Sequence, residues 1–162
     1  MRLRRFGRPS AVIDRQLGQV PQTAGLYFPC LVTPIDGPIL DRVYLAEASE
    51  WYLRWGVWPD EDPGKRSVSI EEVASIAVSP SRLPAWAADQ IYSEGESGMG
   101  YTIFTVRFDD GSSQAYSAGN AVDFIQYPAG QSAATVAEVY PHLGPRDAAC
   151  PPPDYYWCLY SR

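Results

Sequence analysis

The stretch that decides the fold runs from Gly100 to Tyr127 and reads GYTIFTVRFDDGSSQAYSAGNAVDFIQY. Three β-compatible runs are separated by Asp110-Gly111 and Gly119-Asn120, dipeptides of the kind that most favours a tight turn. This order of runs and turns predicts an antiparallel β-meander over about residues 100–127. The stretch contains no catalytic or ligand-binding motif, so it indicates an architecture and leaves the function open.

The first turn of the meander sets the expected strand register. Glycine reaches the positive φ values of a type I′ turn without steric cost, so a two-residue loop at Asp110-Gly111 is expected. That loop pairs Phe104 with Ser117 and places Tyr116 opposite Thr105. Strand side chains alternate between faces, and a bare hairpin is only marginally stable, so the apolar face needs a helical cover. This face carries Thr102, Phe104, Val106 and Phe108.

Three helices are expected to supply this cover. Apolar residues recur every three to four positions over Asp41–Trp55, and Gly56 is well placed to end that helix. A proline at the first helical position predicts a second helix over residues 84–92. Ser132 is a good N-cap for a third helix over residues 132–140. The fold class is therefore α+β, with the antiparallel meander packed against several short helices.

Two segments are compatible with a strand as well as a helix. Leu26–Thr33 and Ile39–Leu45 form a second hairpin if both are strands, and this alternative competes with the first turn of the helix that begins at Asp41. A capping box at Ser69–Glu72 predicts a short helix, but β-branched side chains after it leave open a strand that ends at Val78.

At 162 residues the chain is long enough for one domain with a substantial hydrophobic core. Residues 1–20 are expected to form a basic, poorly ordered arm, because termini order only when something holds them. Residues 21–149 are expected to form a single α+β domain. Residues 150–162 are rich in proline and aromatic residues, and such a tail is expected to pack on the domain rather than expose an apolar patch.

The formal net charge is −6, and the charge is unevenly distributed. Residues 1–15 contain five arginines and one aspartate, a net +4, which leaves −10 for the remainder. An acidic body argues against nucleic acid as a partner, because binding there depends on neutralising phosphates. No apolar run approaches the roughly 18 residues of a membrane helix. Arg4-Arg5-Phe6 resembles the start of an export signal, but Asp14 interrupts the apolar region that should follow. The sequence therefore predicts a cytoplasmic protein.

No group of residues predicts catalysis or a bound cofactor. The single histidine, His142, follows Pro141 in a loop, and no acid in the sequence is placed to orient it. Cys30 lies in an apolar, strand-like run where nothing would stabilise a thiolate. Cys150 and Cys158 match no zinc-binding spacing, so we expect free thiols, with a short disulfide as the alternative. No catalytic residue, metal or cofactor is predicted.

The sequence favours a non-catalytic protein-binding module with a protein partner or a second copy, and an immunity- or antitoxin-like role is one version of it. The acidic loop at residues 60–62 is its candidate surface. The alternative is a small enzyme or ligand-binding domain for a carbohydrate or other small polar ligand, with an aromatic-lined cleft and a glycine-rich lid over residues 93–100. Core packing also explains the tryptophans. The candidate binding residues are Trp51, Trp55, Trp58, Tyr101, Asp60, Glu61, Asp62, Glu94 and Glu96.

Overall fold

A computed structural model describes residues 6–142, 144–145 and 148–162. Contacts between residues divide the chain into two compact units. The first unit runs from the N-terminus to Ser79 and includes Tyr155–Arg162, and the second is Pro80–Asp154. Each contains a β-sheet and at least one helix, so the predicted α+β class is confirmed. The single domain over residues 21–149 stays a prediction.

The first unit is a four-stranded sheet with two α-helices, in the sheet order β3-β1-β2-β7. Its pairs are antiparallel except β2–β7, which is parallel, as is common for strands joined by a long connection. The elements are α1 (Ala11–Leu17), β1 (Phe28–Pro34), β2 (Leu40–Glu47), α2 (Ala48–Trp55), β3 (Val73–Val78) and β7 (Tyr156–Tyr160).

None of the helices in the described part of the chain is long and apolar enough to cross a membrane.

The second unit is a three-stranded antiparallel sheet of order β5-β4-β6, covered by one helix. Ala87 and Ile91 of the helix share a buried apolar core with Phe104 of the central strand. The cover of the meander is therefore this helix, and the predicted helix over residues 84–92 is confirmed. The elements are α3 (Ala85–Glu94), β4 (Thr102–Phe108), β5 (Ser113–Ala118) and β6 (Val136–Pro141).

The turn between β4 and β5 differs from the predicted two-residue loop. The backbone N–H of Phe108 donates to the carbonyl of Ser112, 2.8 Å away, which leaves a three-residue loop. Gly111 takes a φ of 86°, and the Asp110 carboxylate accepts hydrogen bonds from the N–H and the hydroxyl of Ser112. These bonds hold the pKa of Asp110 below its usual value. A three-residue loop that ends in a left-handed glycine is the next favoured hairpin after the two-residue turns.

The extra loop residue shifts the register of β5 by one position. Phe104 pairs with Tyr116 rather than with Ser117, and the two rings stack at 5.8 Å between centroids. A one-residue slip moves every side chain to the other face of the sheet, so Tyr116 joins the buried face. The predicted pairing was wrong for this reason. The face of β4 that carries Phe104 and Phe108 is buried as expected.

The third strand of the second unit comes from a different part of the chain than predicted. Residues 121–127 form no regular strand, and β6 pairs with β4 in their place. The N–H of Leu83 donates to the carbonyl of Asp123, and the N–H of Ile125 donates to that of Ser81. The segment therefore pairs locally with the chain before α3. Composition marks it as extended but does not specify its partner.

The helix predicted over Asp41–Trp55 is correct only in its second half. Leu40–Glu47 is the strand β2, so the competing hairpin is confirmed, and the helix begins at Ala48. The Glu47 side chain caps the helix and accepts a 2.8 Å hydrogen bond from the N–H of Glu50. The strand prevails over the helical pattern because β2 pairs with a neighbour on each edge, which satisfies its backbone polar groups.

Two further predicted helices are wrong. The capping box at Ser69 opens only a single 3-10 turn, Ile70–Glu72, before β3 begins, so the alternative of a strand that ends at Val78 is confirmed. Ser132 opens a 3-10 turn at Ala133–Thr135, and β6 replaces the predicted helix over residues 132–140. In both cases the local capping signal is real, but β-branched residues and pairing with a neighbouring strand set the element that follows.

The predicted poorly ordered arm over residues 1–20 contains a helix, which corrects that expectation. Ser10 caps α1, and its Oγ accepts a 3.2 Å hydrogen bond from the N–H of Ile13. Ile13 and Leu17, four residues apart, are buried in the first unit. The Gln16 side chain accepts a 2.8 Å hydrogen bond from the N–H of Ile76, at the edge strand β3. Residues 1–5 of the arm lie outside the described residues.

Candidate functional site

The predicted tryptophans Trp51, Trp55 and Trp58 belong to a cluster of rings in the first unit. The Trp51 ring stacks on Trp55 at 5.5 Å between centroids and meets Trp157 edge-on at 5.3 Å. Trp58 stacks on Trp51 at 6.4 Å. Trp51 is 0% exposed, so its ring packs in the core and lines no cleft. Trp55 and Trp58 are half-buried at the edge of the cluster.

The polar atoms of this cluster are mostly directed inward. Nε1 of Trp55 donates a 2.9 Å hydrogen bond to the hydroxyl of Tyr27. The buried indole N–H groups of Trp51 and Trp157 have no oxygen or nitrogen partner among the described residues. Because these two rings meet edge-on, an indole N–H can face an aromatic ring instead, which is a weak substitute for a hydrogen bond. The arrangement is that of a packed core.

The predicted acidic surface at residues 60–62 lies beside this cluster. Asp60 and Glu61 are exposed, and Asp62 is half-buried and forms an ion pair with Lys65. The Lys65 ammonium also lies over the Trp55 ring, 5.1 Å from its centroid. A lysine therefore offsets part of the negative charge of this loop.

The first unit also has an open cleft of about 320 Å³. Its lining includes the apolar side chains Phe6 and Leu159 and the carboxylates of Asp60 and Glu71. The backbone of Gly7 closes one side, where an added Cβ would lie 2.8 Å from Oε1 of Glu71. This cleft contains only one of the predicted binding residues, Asp60.

The second unit brings two of the predicted binding residues together, Glu94 and Glu96. Both line a cleft of about 230 Å³ where α3 ends, β4 begins and β6 ends, which we call the α3–β4 cleft. Its full lining is Ile91, Glu94, Gly95, Glu96, Ser97, Thr102, Ile103, Phe104, Pro141 and His142.

The sequence suggested that the glycine-rich loop over residues 93–100 is a lid. Hydrogen bonds tie this loop to β4. Gly95 has a φ of 80° and a ψ of −175°, a conformation available essentially only to glycine. The Ser97 Oγ accepts a 2.7 Å hydrogen bond from the N–H of Ile103. The fourth predicted aromatic residue, Tyr101, packs on Gly98, where an added Cβ would collide with the Tyr101 ring.

His142 lies in the α3–β4 cleft with the two glutamates, a grouping that the sequence analysis did not predict. Its Nδ1 lies 2.9 Å from the hydroxyl of the buried Thr105, so a hydroxyl orients the imidazole. No sequence signal could have revealed this grouping, because Glu94 and His142 are 48 positions apart and meet only through the sheet. The Ser97 hydroxyl, which also lines the cleft, is hydrogen-bonded to the backbone of Ile103.

The three cysteines, all within the described residues, are free thiols. Cys30 and Cys158 are buried and Cys150 is partly exposed. Burial raises the pKa of the Cys158 thiol to about 12, and the negative charge of Glu72 adds to the increase. A raised pKa leaves little thiolate at neutral pH, so the Cys158 thiol is not activated. Within the described residues no group of three or more His, Cys, Asp or Glu side chains is placed to hold a metal ion.

We expect iodoacetamide at pH 8 to alkylate Cys150 in the folded protein much faster than Cys158. The thiolate is the reactive form, and a raised pKa keeps Cys158 protonated at this pH. Mass spectrometry of peptides at increasing reaction times gives the rate at each site. In a denaturant the two rates should become similar. Equally fast alkylation of Cys158 in the folded protein would contradict the burial described here.

The charge of the protein is concentrated in the second unit. Pro80–Asp154 contains nine acidic residues and three arginines, a net −6, whereas the remaining residues contain ten of each sign and are neutral. Arg82 is 3% exposed, and Arg107 pairs with Glu138 at 2.9 Å. Arg146 lies outside the described residues. The acidic side chains of this unit therefore outnumber its arginines three to one.

A comparison with protein-family models, with curated proteins and with solved structures finds no match to this chain.

Proposed function

We propose that the protein is a non-catalytic binding module whose second unit binds a basic surface of another protein. The uneven charge supports this proposal, because the second unit has a net charge of −6 and the rest of the chain is neutral. A surface of one sign attracts and orients a partner of the opposite sign over several ångströms. Its exposed carboxylates are those of Asp89, Glu94, Glu96, Asp109, Asp110, Glu138 and Asp154.

The same charge makes other partners unfavourable. A net negative surface repels the phosphates of nucleic acid and anionic membrane surfaces. A small acidic binding module suits an immunity- or antitoxin-like role, in which a basic protein is held and neutralised. Self-association is the alternative, because residues 1–15 have a net charge of +4 and so complement the second unit of another copy.

The matched test compares two triple charge reversals. The first variant carries Asp89→Lys, Asp109→Lys and Glu138→Lys in the second unit. The second carries Asp60→Lys, Glu61→Lys and Asp62→Lys in the first unit. Each variant changes the net charge by the same amount, so any difference between them reports where the charge lies. Circular dichroism checks that both variants are folded.

We expect only the second-unit variant to lose its partner. The measurement is affinity capture from a lysate of the source cells, followed by identification of the captured protein and of its isoelectric point. Capture should fall by about tenfold or more for the second-unit variant and stay within about twofold for the first-unit variant. The captured protein should be basic, or it should be a second copy. Loss of capture only in the first-unit variant, or capture of an acidic protein other than a second copy of this chain, would contradict the proposal.

A second candidate function is the binding of a free small cation in the α3–β4 cleft. The observation in its favour is that Glu94, Glu96 and His142 line the same cleft. Titration of the protein with butylguanidinium, a small organic cation, tests it.

A further inference from the structure

We propose that the α3–β4 cleft binds an arginine side chain presented by the cationic partner. The inference rests on the proposed function for the nature of the partner, and it adds the place of binding and the type of residue bound. Four features of the cleft carry it, namely its size, its apolar floor, its carboxylates and the fixed position of its loop.

The size of the cleft suits one side chain. Its volume is about 230 Å³, whereas clefts for drug-sized ligands measure about 300–1,000 Å³. A single long side chain inserted from a partner surface is the kind of group that a cleft of this size accepts. Side chains that fill a pocket in this way often contribute most of the energy of an interface, and arginine is enriched among them.

The floor of the cleft is partly apolar. Ile91, Ile103 and Phe104 line it through the small part of each side chain that is not buried. Arginine and lysine carry three or four methylene groups that pack on apolar surface while the charged end stays near water. The floor therefore matches the stem of such a side chain, and the glutamates match its charged end.

The two carboxylates are available to a cation. Glu94 accepts one 3.4 Å hydrogen bond from the Gln90 side chain, and Glu96 accepts one from the N–H of Gly100, also at 3.4 Å. An ionised carboxylate offers about four acceptor positions, so most of them are left over. Two carboxylates can engage the several N–H donors of one planar guanidinium, whereas an ammonium is a compact point charge. Arginine is therefore preferred to lysine.

The backbone that carries these carboxylates is fixed before any partner binds. Glu94 ends α3, and Gly95 turns the chain in a conformation that other residues avoid. Ser97 then fixes the loop to Ile103 of β4 through its hydroxyl. Pre-positioned groups bind more tightly because less conformational entropy is lost on binding.

The first experiment is an NMR titration of the ¹⁵N-labelled protein with three capped pentapeptides. Each has alanine at four positions, and the central residue is arginine, lysine or citrulline, the uncharged isostere of arginine. We expect the arginine peptide to shift the amide signals of residues 91–97, 102–104 and 142. Affinity should fall by about tenfold or more for citrulline, since hydrogen bonds between charged groups are lost. The affinity of the lysine peptide should lie between those of the arginine and citrulline peptides.

Matched variants assign the binding to the cleft. Glu94→Gln with Glu96→Gln removes the two carboxylates and should weaken the arginine peptide by about tenfold. Asp60→Asn with Glu71→Gln removes two carboxylates from the cleft of the first unit, with the same change in net charge. This control variant should bind the arginine peptide with an affinity within about twofold of that of the unchanged protein. Equal weakening in both variants would show that net charge alone attracts the peptide and would overturn the proposal.

A second probe, butylguanidinium, presents the end of the arginine side chain without a peptide. It should bind the cleft with an affinity within about tenfold of that of the arginine peptide, because the side chain is the group that is bound. No shift of the cleft signals would overturn the proposal.

Partner capture separates a protein side chain from a free small cation. Capture should fall by about tenfold or more for Glu94→Gln with Glu96→Gln, and it should stay within about twofold for Asp60→Asn with Glu71→Gln. Unchanged capture in the first of these variants would overturn the assignment to a partner side chain in favour of a free cation.

The two proposals fail in different ways. If the arginine peptide moves no signal of the cleft while the second-unit reversals abolish partner capture, the cleft proposal is overturned and the proposed function stands. If the peptide binds through Glu94 and Glu96 but the second-unit charge reversals leave partner capture unchanged, the cleft proposal is supported and the proposed function is contradicted.

Discussion

Replacing Trp51 by alanine is expected to lower the free energy of unfolding by about 3–5 kcal/mol, the cost of removing a large buried aromatic side chain. Trp51 is 0% exposed and contacts the rings of Trp55, Trp58 and Trp157. Its removal takes away the transfer energy of the ring and leaves a cavity that the surrounding rings fill only partly. The measurement is urea denaturation followed by far-UV circular dichroism.

The control for this change lies on the same helix. Leu53 is 86% exposed, so Leu53→Ala should change the free energy of unfolding by no more than about 0.5 kcal/mol. A loss below about 1 kcal/mol for Trp51→Ala would mean that the ring packs weakly. That result would restore the interpretation in which the tryptophans line a cleft for a ligand.

Phe108→Ala is expected to destabilise the second unit by a similar amount, about 3–5 kcal/mol. Phe108 is 0% exposed at the end of β4, and its ring lies 6.3 Å from that of Tyr127. The neighbouring Arg107 points to the other face and forms a surface ion pair with Glu138. Arg107→Ala should therefore cost less than about 1 kcal/mol.

The comparison of Phe108→Ala with Arg107→Ala also tests the faces of the central strand. A strand shifted by one residue exchanges its buried and exposed side chains. If Arg107→Ala proved more destabilising than Phe108→Ala, the orientation of β4 described here would be wrong. Urea denaturation of both variants, with circular dichroism as the signal, gives the two free energies.

Local sequence patterns predicted those elements for which the spacing of apolar side chains and the turn or capping residues indicate the same secondary structure. The hairpin of β4 and β5 is one, because alternating residues flank a turn that contains glycine. The helix α3 is another, because a proline stands before its first turn and its apolar residues are spaced for one face. The loop length was predicted wrongly, because Asp110 and Gly111 also suit a three-residue loop.

Local patterns failed where pairing with distant strands decided the outcome. Residues 41–47 have an apolar spacing typical of a helix, yet they form β2 between β1 and β7. The strand β6 likewise follows a good helix-capping signal at Ser132. In both cases a strand partner far away in sequence satisfies the backbone hydrogen bonds, and a local window contains no information about that partner.

The candidate site was predictable only in part. The sequence selected Glu94 and Glu96 as part of a lid over an aromatic-lined cleft, and both line the α3–β4 cleft instead. It did not associate His142 with them. It placed Trp51, Trp55 and Trp58 in one cleft with Tyr101, whereas the tryptophans belong to the first unit and Tyr101 to the second.

The sequence by itself determined the α+β class, the central hairpin, the helix α3 and the acidic character, because these depend on composition and on neighbours within a few residues. Only the tertiary structure decided the strand order, the burial of Trp51 and the concentration of net charge in Pro80–Asp154. Each of these depends on which distant segments meet. Burial and backbone pairing choose those partners together, and no single segment specifies the choice.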